Sequence, residues 1–232
     1  MALFRDRRTA GRELAPLVRP AVTAGNVVVL GLPRGGVPVA YEIAALLNAP
    51  LDVLVVRKLG MPGEEELALG AIASGGIQVL NRDLIMLEGV TRQTLEAVTR
   101  RETIELERRE SLFRQGRPPV DVQNHTVVVA DDGLATGATM LAACRSLRAR
   151  NAAQIVVAVP VAARQSVDLL KKEHAADNVI AAATPGELHS VGRWYEDFAA
   201  TSDDEVRLLL NEAASERTKI RSNASNVWGA RE

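Results

Sequence analysis

Residues 127–139 read Val127-Val128-Val129-Ala130-Asp131-Asp132-Gly133-Leu134-Ala135-Thr136-Gly137-Ala138-Thr139. An unbroken apolar run ends on two adjacent carboxylates, and a turn of small residues then opens a helix. A strand without a polar face must be covered on both sides, as in a parallel sheet flanked by helices. The same pattern recurs outward from this segment. Val27–Leu32, Leu51–Val56, Ile155–Val159 and Val179–Ala183 read as further buried strands beside Thr126–Ala130, and Val37–Asn48, Gly137–Arg150 and Ala163–His174 carry helical spacing. The fold class is therefore α/β, an open, mostly parallel central sheet with helices on both faces.

Two stretches break the alternation. Ala68–Ala73 and Ile77–Leu80 flank Ser74-Gly75-Gly76, the pattern of a β-hairpin with a glycine turn. Thr91–Gln115 reads as one long charged helix with a sparse stripe of Leu95, Val98, Leu106, Leu112 and Phe113. Its six Arg and four Glu between 100 and 117 interleave, as expected of a solvated face or a dimer contact rather than a nucleic-acid surface.

The chain has 232 residues, 47% apolar and 25% charged, with a net charge of −1, which excludes a disordered chain and argues against a general nucleic-acid binder. One cysteine, Cys144, excludes an intramolecular disulfide and reads as buried packing. No apolar run approaches the roughly 20 residues that span a bilayer, and the first residues lack a signal-peptide core, so the expectation is a cytoplasmic protein without a membrane partner.

The chemistry lies at the end of the quoted strand. Ligands of open α/β sheets bind outside the carboxyl ends of the strands. Ala135-Thr136-Gly137-Ala138-Thr139 offers backbone N–H groups at a helix N-terminus with two threonine hydroxyls, a nest for a phosphate monoester. Asp131 and Asp132 suit hydroxyls or a hydrated Mg²⁺. Together they describe a sugar-phosphate site, and neither the P-loop nor the G-x-G-x-x-G fingerprint fits.

This segment resembles the 5-phosphoribosyl-1-pyrophosphate (PRPP) signature of the type I phosphoribosyltransferases, and the order of elements agrees over residues 4–210. Within that superfamily the chain is similar to a group of unassigned substrate, through Phe4-Arg5-Asp6-Arg7, Gly31-Leu32-Pro33-Arg34-Gly35-Gly36, Val56-Arg57-Lys58, Leu69-Gly70-Ala71-Ile72 and Trp194-Tyr195-Glu196-Asp197-Phe198. The resemblance implies one domain over 1–214, with a core at about 25–185, a hood from about 1–20 and 186–210, an insertion at about 60–118, and a flexible tail over 215–232. It also implies a second anion loop, often with a cis peptide, at Pro33-Arg34-Gly35-Gly36.

The activity implied is Mg²⁺-dependent transfer of phosphoribose from PRPP to a nitrogen acceptor, a nucleobase or related heterocycle, with pyrophosphate released. Arg34, Arg57 and Lys58 would stabilise the leaving charge, and residues 59–67 would form a mobile lid. In the 6-oxopurine enzymes an Asp stands where this chain has Ala135, which lowers hypoxanthine and guanine as acceptors. Leu188, His189 and Trp194 are the implied acceptor contacts, and Asp197 the implied contact to a second metal. Trp194, Tyr195 and Phe198, three of seven aromatics, suit a small hood core better than a stacking pocket. A homodimer is compatible with the family. The alternative is a PRPP-binding regulator of the same fold with little catalysis.

Overall fold

The structure, a computed structural model, describes residues 2–22 and 26–228. In chain order its elements are α1 (Arg7–Val18), β1 (Val27–Gly31), α2 (Gly36–Leu47), β2 (Leu51–Val53), β3 (Val56–Met61), β4 (Glu64–Ala73), β5 (Ile77–Leu80), α3 (Arg82–Leu87), α4 (Arg92–Arg114), β6 (Thr126–Ala130), α5 (Ala138–Ala149), β7 (Gln154–Val161), α6 (Arg164–Lys172), β8 (Asn178–Ala183) and α7 (Asp203–Trp228). Short 3-10 turns cover Arg19–Ala21 and Val191–Trp194.

The central sheet is parallel throughout, in the order β2-β1-β6-β7-β8. Its strands alternate between two cores. Val29, Val128, Ala130, Val156 and Ala158 face a cluster containing residues of α1, α2, α4 and α7, whereas Val28, Leu30, Val127, Val129, Ile155 and Val157 face α5 and α6. Both faces are dry, as the uninterrupted valine runs require. Cys144 lies in the second cluster, fully buried, and burial pushes its thiol up to about 12. It is packing, as expected.

The strand order reverses between β1 and β6, which makes their carboxyl ends the switch point of the sheet. Gly31 pairs with Ala130 across that seam, so the loops after the two strands leave side by side.

The insertion departs from expectation. Leu51–Val56 is not one strand: β2 ends at Val53, and β3 begins at Val56 in a separate antiparallel sheet of order β3-β4-β5. The exchange is held by Leu54 N–H, which donates to Gly31 O at 3.1 Å, and by Ser74, whose hydroxyl accepts from Val55 N at 2.9 Å. The glycine-turn hairpin is present, with Gly75 and Gly76 at φ +88° and +75°. Residues 59–67 are not an open loop, because β3 and β4 pair and only Pro62-Gly63 turns between them.

Helix α4 is less solvated than its charge suggests. Glu102 and Arg114 are buried among Val98, Leu106 and Phe113. Arg114 donates through Nε to both oxygens of Asp52 in β2 (3.1 and 3.0 Å), through Nη1 to Glu110 (2.9 Å) and through Nη2 to Val53 O (3.0 Å). This network ties the long helix to the sheet edge. Helix α7 runs on past 215 to Trp228, and its Val206, Leu209, Leu210 and Ala213, all before 215, join the core. Residues 229–232 lie outside the described residues.

Replacing Asp52 by Ala leaves Arg114 buried with only Glu110 as counter-charge. The expected cost is about 3 kcal/mol, the low end for breaking a buried pair. Urea denaturation followed by circular dichroism measures it; a loss under about 1 kcal/mol, the worth of an exposed pair, contradicts the account.

Candidate functional site

The register of β1 with β6 builds the site. Leu32 N–H donates to Ala130 O at 2.9 Å, which carries the pairing one residue beyond the strands. The next residues, Pro33-Arg34-Gly35-Gly36, then lie against Asp131-Asp132, and the Pro33–Arg34 peptide is cis, as the resemblance implies. The glycines are required by space: a Cβ on Gly35 would stand 2.1 Å from Asp132 Oδ2, and one on Gly36 would stand 2.5 Å from Ala130 O.

The two carboxylates differ. Burial and the charge of Asp132 push Asp131 well above the usual carboxylate range. Its Oδ1 accepts from Asp132 N–H at 2.9 Å. Asp132 Oδ2 instead accepts from Arg7 Nε at 2.8 Å, a partner 125 residues away at the start of α1.

Behind Asp132 the chain turns through Ala135–Thr139 into α5. Leu134 N–H donates to Val161 O and Leu134 O accepts from Ala163 N–H, both at 2.8 Å, and the Ser166 hydroxyl donates to Ala135 O. Gly137, at φ +79°, caps the helix. Ala135, Thr136, Ala138 and Thr139 remain exposed, so this helix N-terminus is open to a ligand.

The expected cations separate. Arg34 is half exposed and pairs with Asp203, at the start of α7, at 3.7 Å. Arg57 and Lys58 do not end a strand of the parallel sheet; they are neighbours inside β3 and so face opposite ways. Arg57 donates to the buried Glu102 of α4 from Nε and Nη2 (2.9 and 2.7 Å), which makes it a tie between insertion and helix rather than a ligand group. Lys58 lines a cleft of about 650 Å³ between the antiparallel sheet and α5, together with Ala138 and Thr139 of the phosphate turn.

The hood sits on the strand end. Phe4 bridges Tyr195, Glu196 N–H donates to Phe4 O, and Asp197 N–H to Arg5 O. Phe4, Ala10 and Tyr195 form a small core with Val191 and Trp194 against it, so the aromatics are packing and Trp194 belongs to that packing. Tyr195, whose hydroxyl burial and the Asp132 charge keep protonated, donates to Asp132 O at 2.5 Å. A Cβ on Gly133 would meet Val191 at 2.4 Å. His189 is two-thirds exposed beside Glu187 at 3.6 Å, and Leu188 is half-buried, so neither is brought under an enclosed hood pocket among those described. Asp197 accepts from Ala199 N–H, and among the described residues no three His, Cys or carboxylate groups could hold a metal together, so it does not join Asp131 and Asp132 as a metal set.

Sequence reasoning missed Glu102 and Asp203 as counter-charges and Arg7 as the partner of Asp132. Arg7 stood in a quoted motif, but a contact spanning 125 residues leaves no spacing signal.

The 33–36 loop, the Asp131-Asp132 pair and the open start of α5 thus meet at the switch point of an α/β sheet, the place where ligands of such sheets bind. The phosphoribosyl transferase domain family matches residues 11–184, and this chain belongs to that family. It is 49% identical over 214 residues to a Mycobacterium tuberculosis protein with the provisional name phosphoribosyl transferase Rv0571c, a match covering 92% of this chain and 47% of that one. The chain thus spans about half the length of the curated relatives it matches. The crystal structure of TT1426 from Thermus thermophilus is similar at a TM-score of 0.81 and 41% identity, over 91% of this chain and 99% of that one. AQ2163 from Aquifex aeolicus shares the fold at a TM-score of 0.50 and 13% identity, over 88% of this chain and 85% of that one. Among the described residues no helix is long and apolar enough to cross a membrane.

Gly35→Ala is expected to cost about 2 kcal/mol, as overpacking against a fixed carboxylate does. Gly186→Ala, where no atom lies within 4 Å, is the control and should be neutral or slightly stabilising. Equal denaturation midpoints for the two variants would contradict the close approach at Gly35.

Proposed function

We propose that this domain is a cytoplasmic, Mg²⁺-dependent transferase that moves the phosphoribosyl group of PRPP to a heterocyclic nitrogen and releases pyrophosphate. One observation carries the reading: the Gly31–Ala130 pairing brings residues 33–36 against Asp131-Asp132, and the turn 135–139 follows the same two residues in the chain. PRPP has the matching order of groups, with pyrophosphate, ribose hydroxyls and 5′-phosphate.

The donor set fits Mg²⁺ held largely through ligand oxygens and water, since two carboxylates are too few for a protein cage and Mg²⁺ commonly uses one or two with substrate phosphates. When bound, the ion would neutralise charge on the departing pyrophosphate. The protein groups do the rest. Backbone N–H groups and hydroxyls at Thr136–Thr139 hold the 5′-phosphate, and Asp131 and Asp132 accept from the ribose hydroxyls. Arg34, released from its exposed and weak pair with Asp203, meets the pyrophosphate. The C1′–oxygen bond breaks with its electron pair leaving on pyrophosphate, the acceptor nitrogen bonds to C1′, and that nitrogen loses its proton. Ala135 cannot carry the proton, which favours acceptors that reach the site already anionic at nitrogen or with a free lone pair.

Pyrophosphate release from PRPP and MgCl₂, with pooled purines, pyrimidines and pyridine carboxylates, tests the proposal. Wild type should exceed an Asp131→Asn/Asp132→Asn variant, which should neither bind nor turn over PRPP; equal rates and affinities would overturn the assignment. PRPP binding without release across the pool would favour the regulatory reading.

A second comparison separates the cations of β3. Lys58→Ala should lower kcat/KM by about 10²-fold, the scale of one lost charge-stabilising donor. Arg57→Ala should instead act mainly on the melting temperature, because it leaves Glu102 buried with only Arg101 beside it. The reverse pattern would contradict the orientation of β3.

A further inference from the structure

We infer that Arg7 is a positioning residue for the PRPP site: from the hood side it fixes the Asp132 carboxylate and supplies the positive charge that lets an anionic sugar phosphate settle beside two acidic side chains. The inference rests on the proposed function and goes beyond it by making the N-terminal segment part of the binding machinery.

Arg7 is placed from both sides. Asp6 caps α1 by accepting from Thr9 N–H at 2.7 Å, which sets Arg7 as the first helical residue. The preceding Phe4 and Arg5 are hydrogen-bonded to the hood segment 194–197. Its side chain, 11% exposed, then makes three contacts at once: Nε to Asp132 Oδ2 at 2.8 Å, Nη1 to Ala199 O at 2.7 Å, and the guanidinium over the Phe198 ring at 3.9 Å. A planar fork stacked on an aromatic ring is specific to arginine, since an ammonium can keep the charge but not all three contacts.

The other side of the same oxygen is closed by the anion loop, because Gly35 lies too close to admit a Cβ. Asp132 Oδ2 is therefore clamped between Arg7 and the 33–36 loop, while its second oxygen, Oδ1, is the one left to accept a ribose hydroxyl. Charge points the same way. Two carboxylates adjoining two phosphate loops would repel the ligand that those loops attract, and a nearly buried cation within 2.8 Å offsets one of them. Arg8, the next residue, provides a matched control: its Nε donates to Glu42 at 2.6 Å and its guanidinium lies 4.8 Å from the Tyr41 ring, with no contact to Asp132.

The test is calorimetric titration of the full chain with PRPP in MgCl₂, with the melting temperature recorded for each variant. Arg7→Met should weaken PRPP binding by about tenfold or more, the scale of one charge-assisted hydrogen bond. Arg7→Lys should recover part of that loss, and Arg8→Met should bind within about twofold of wild type, as expected of a group outside the site. If Arg7→Met does not fold, Arg7→Gln replaces it. Wild-type affinity in the uncharged Arg7 variant, an equal loss in Arg8→Met, or no recovery in Arg7→Lys overturns the inference. A wild-type protein that binds no PRPP overturns the proposed function instead, and that result is read before any variant.

Discussion

The pairing of Gly31 with Ala130 across the reversal in strand order is the constraint on which the site depends. A slip of one residue would turn every side chain of β1 to the opposite core, so the two dry faces lock the register. With it locked, the loops that follow have no choice of neighbour. Gly35 and Gly36 must pass against Asp131 and Asp132 at distances that exclude a Cβ. The anion loop, the carboxylate pair and the start of α5 are thus consequences of sheet packing several residues upstream.

Charge is managed differently on the two sides of that seam. Three ionic side chains are met by counter-charges from helices: Asp132 by Arg7 of α1, Arg34 by Asp203 of α7, and, in the antiparallel sheet, Arg57 by Glu102 of α4. The three pairs are not equivalent. The Asp132 and Arg57 pairs are short and largely buried, so they fix geometry, whereas the Arg34–Asp203 pair is long and half exposed and therefore weak. With a net charge of −1 over the whole chain, the cations near the seam are local rather than part of a basic surface.

How much of this is legible in the sequence follows from the range of each interaction. The buried strands are written as uninterrupted valine and isoleucine runs, and Asp131-Asp132 with the turn to Thr139 is contiguous, so both could be read directly. The insertion could not. Leu51–Val56 is apolar apart from Asp52, and nothing in it marks Leu54-Val55 as the point where the chain changes sheets, because apolar residues continue on both sides of it. The same boundary moves Arg57 and Lys58, which lie inside β3 on alternate faces instead of ending a strand of the parallel sheet. Helices α1 and α7 differ in their signals: α1 contains Pro16, which interrupts a helical pattern, whereas α7 opens on Asp203-Asp204-Glu205, a helix-start signal, and carries Val206, Leu209, Leu210 and Ala213 at helical spacing.

The hood is the clearest case of function assembled from segments that local patterns cannot join. Its residues come from positions 4–8 and 188–199, yet three ties converge on the signature segment: Arg7 on the Asp132 carboxylate, Tyr195 on the Asp132 carbonyl, and Val191 on Gly133. The residues that follow β6 therefore receive the 33–36 loop from one side and the hood from the other. A displacement of the hood must move Asp132, and a ligand that pulls on Asp132 must be felt at the hood. That coupling ties the terminal segments to the signature segment, whereas His189 and Leu188, the residues that family resemblance placed at the acceptor, stand at the exposed edge of the hood rather than inside it.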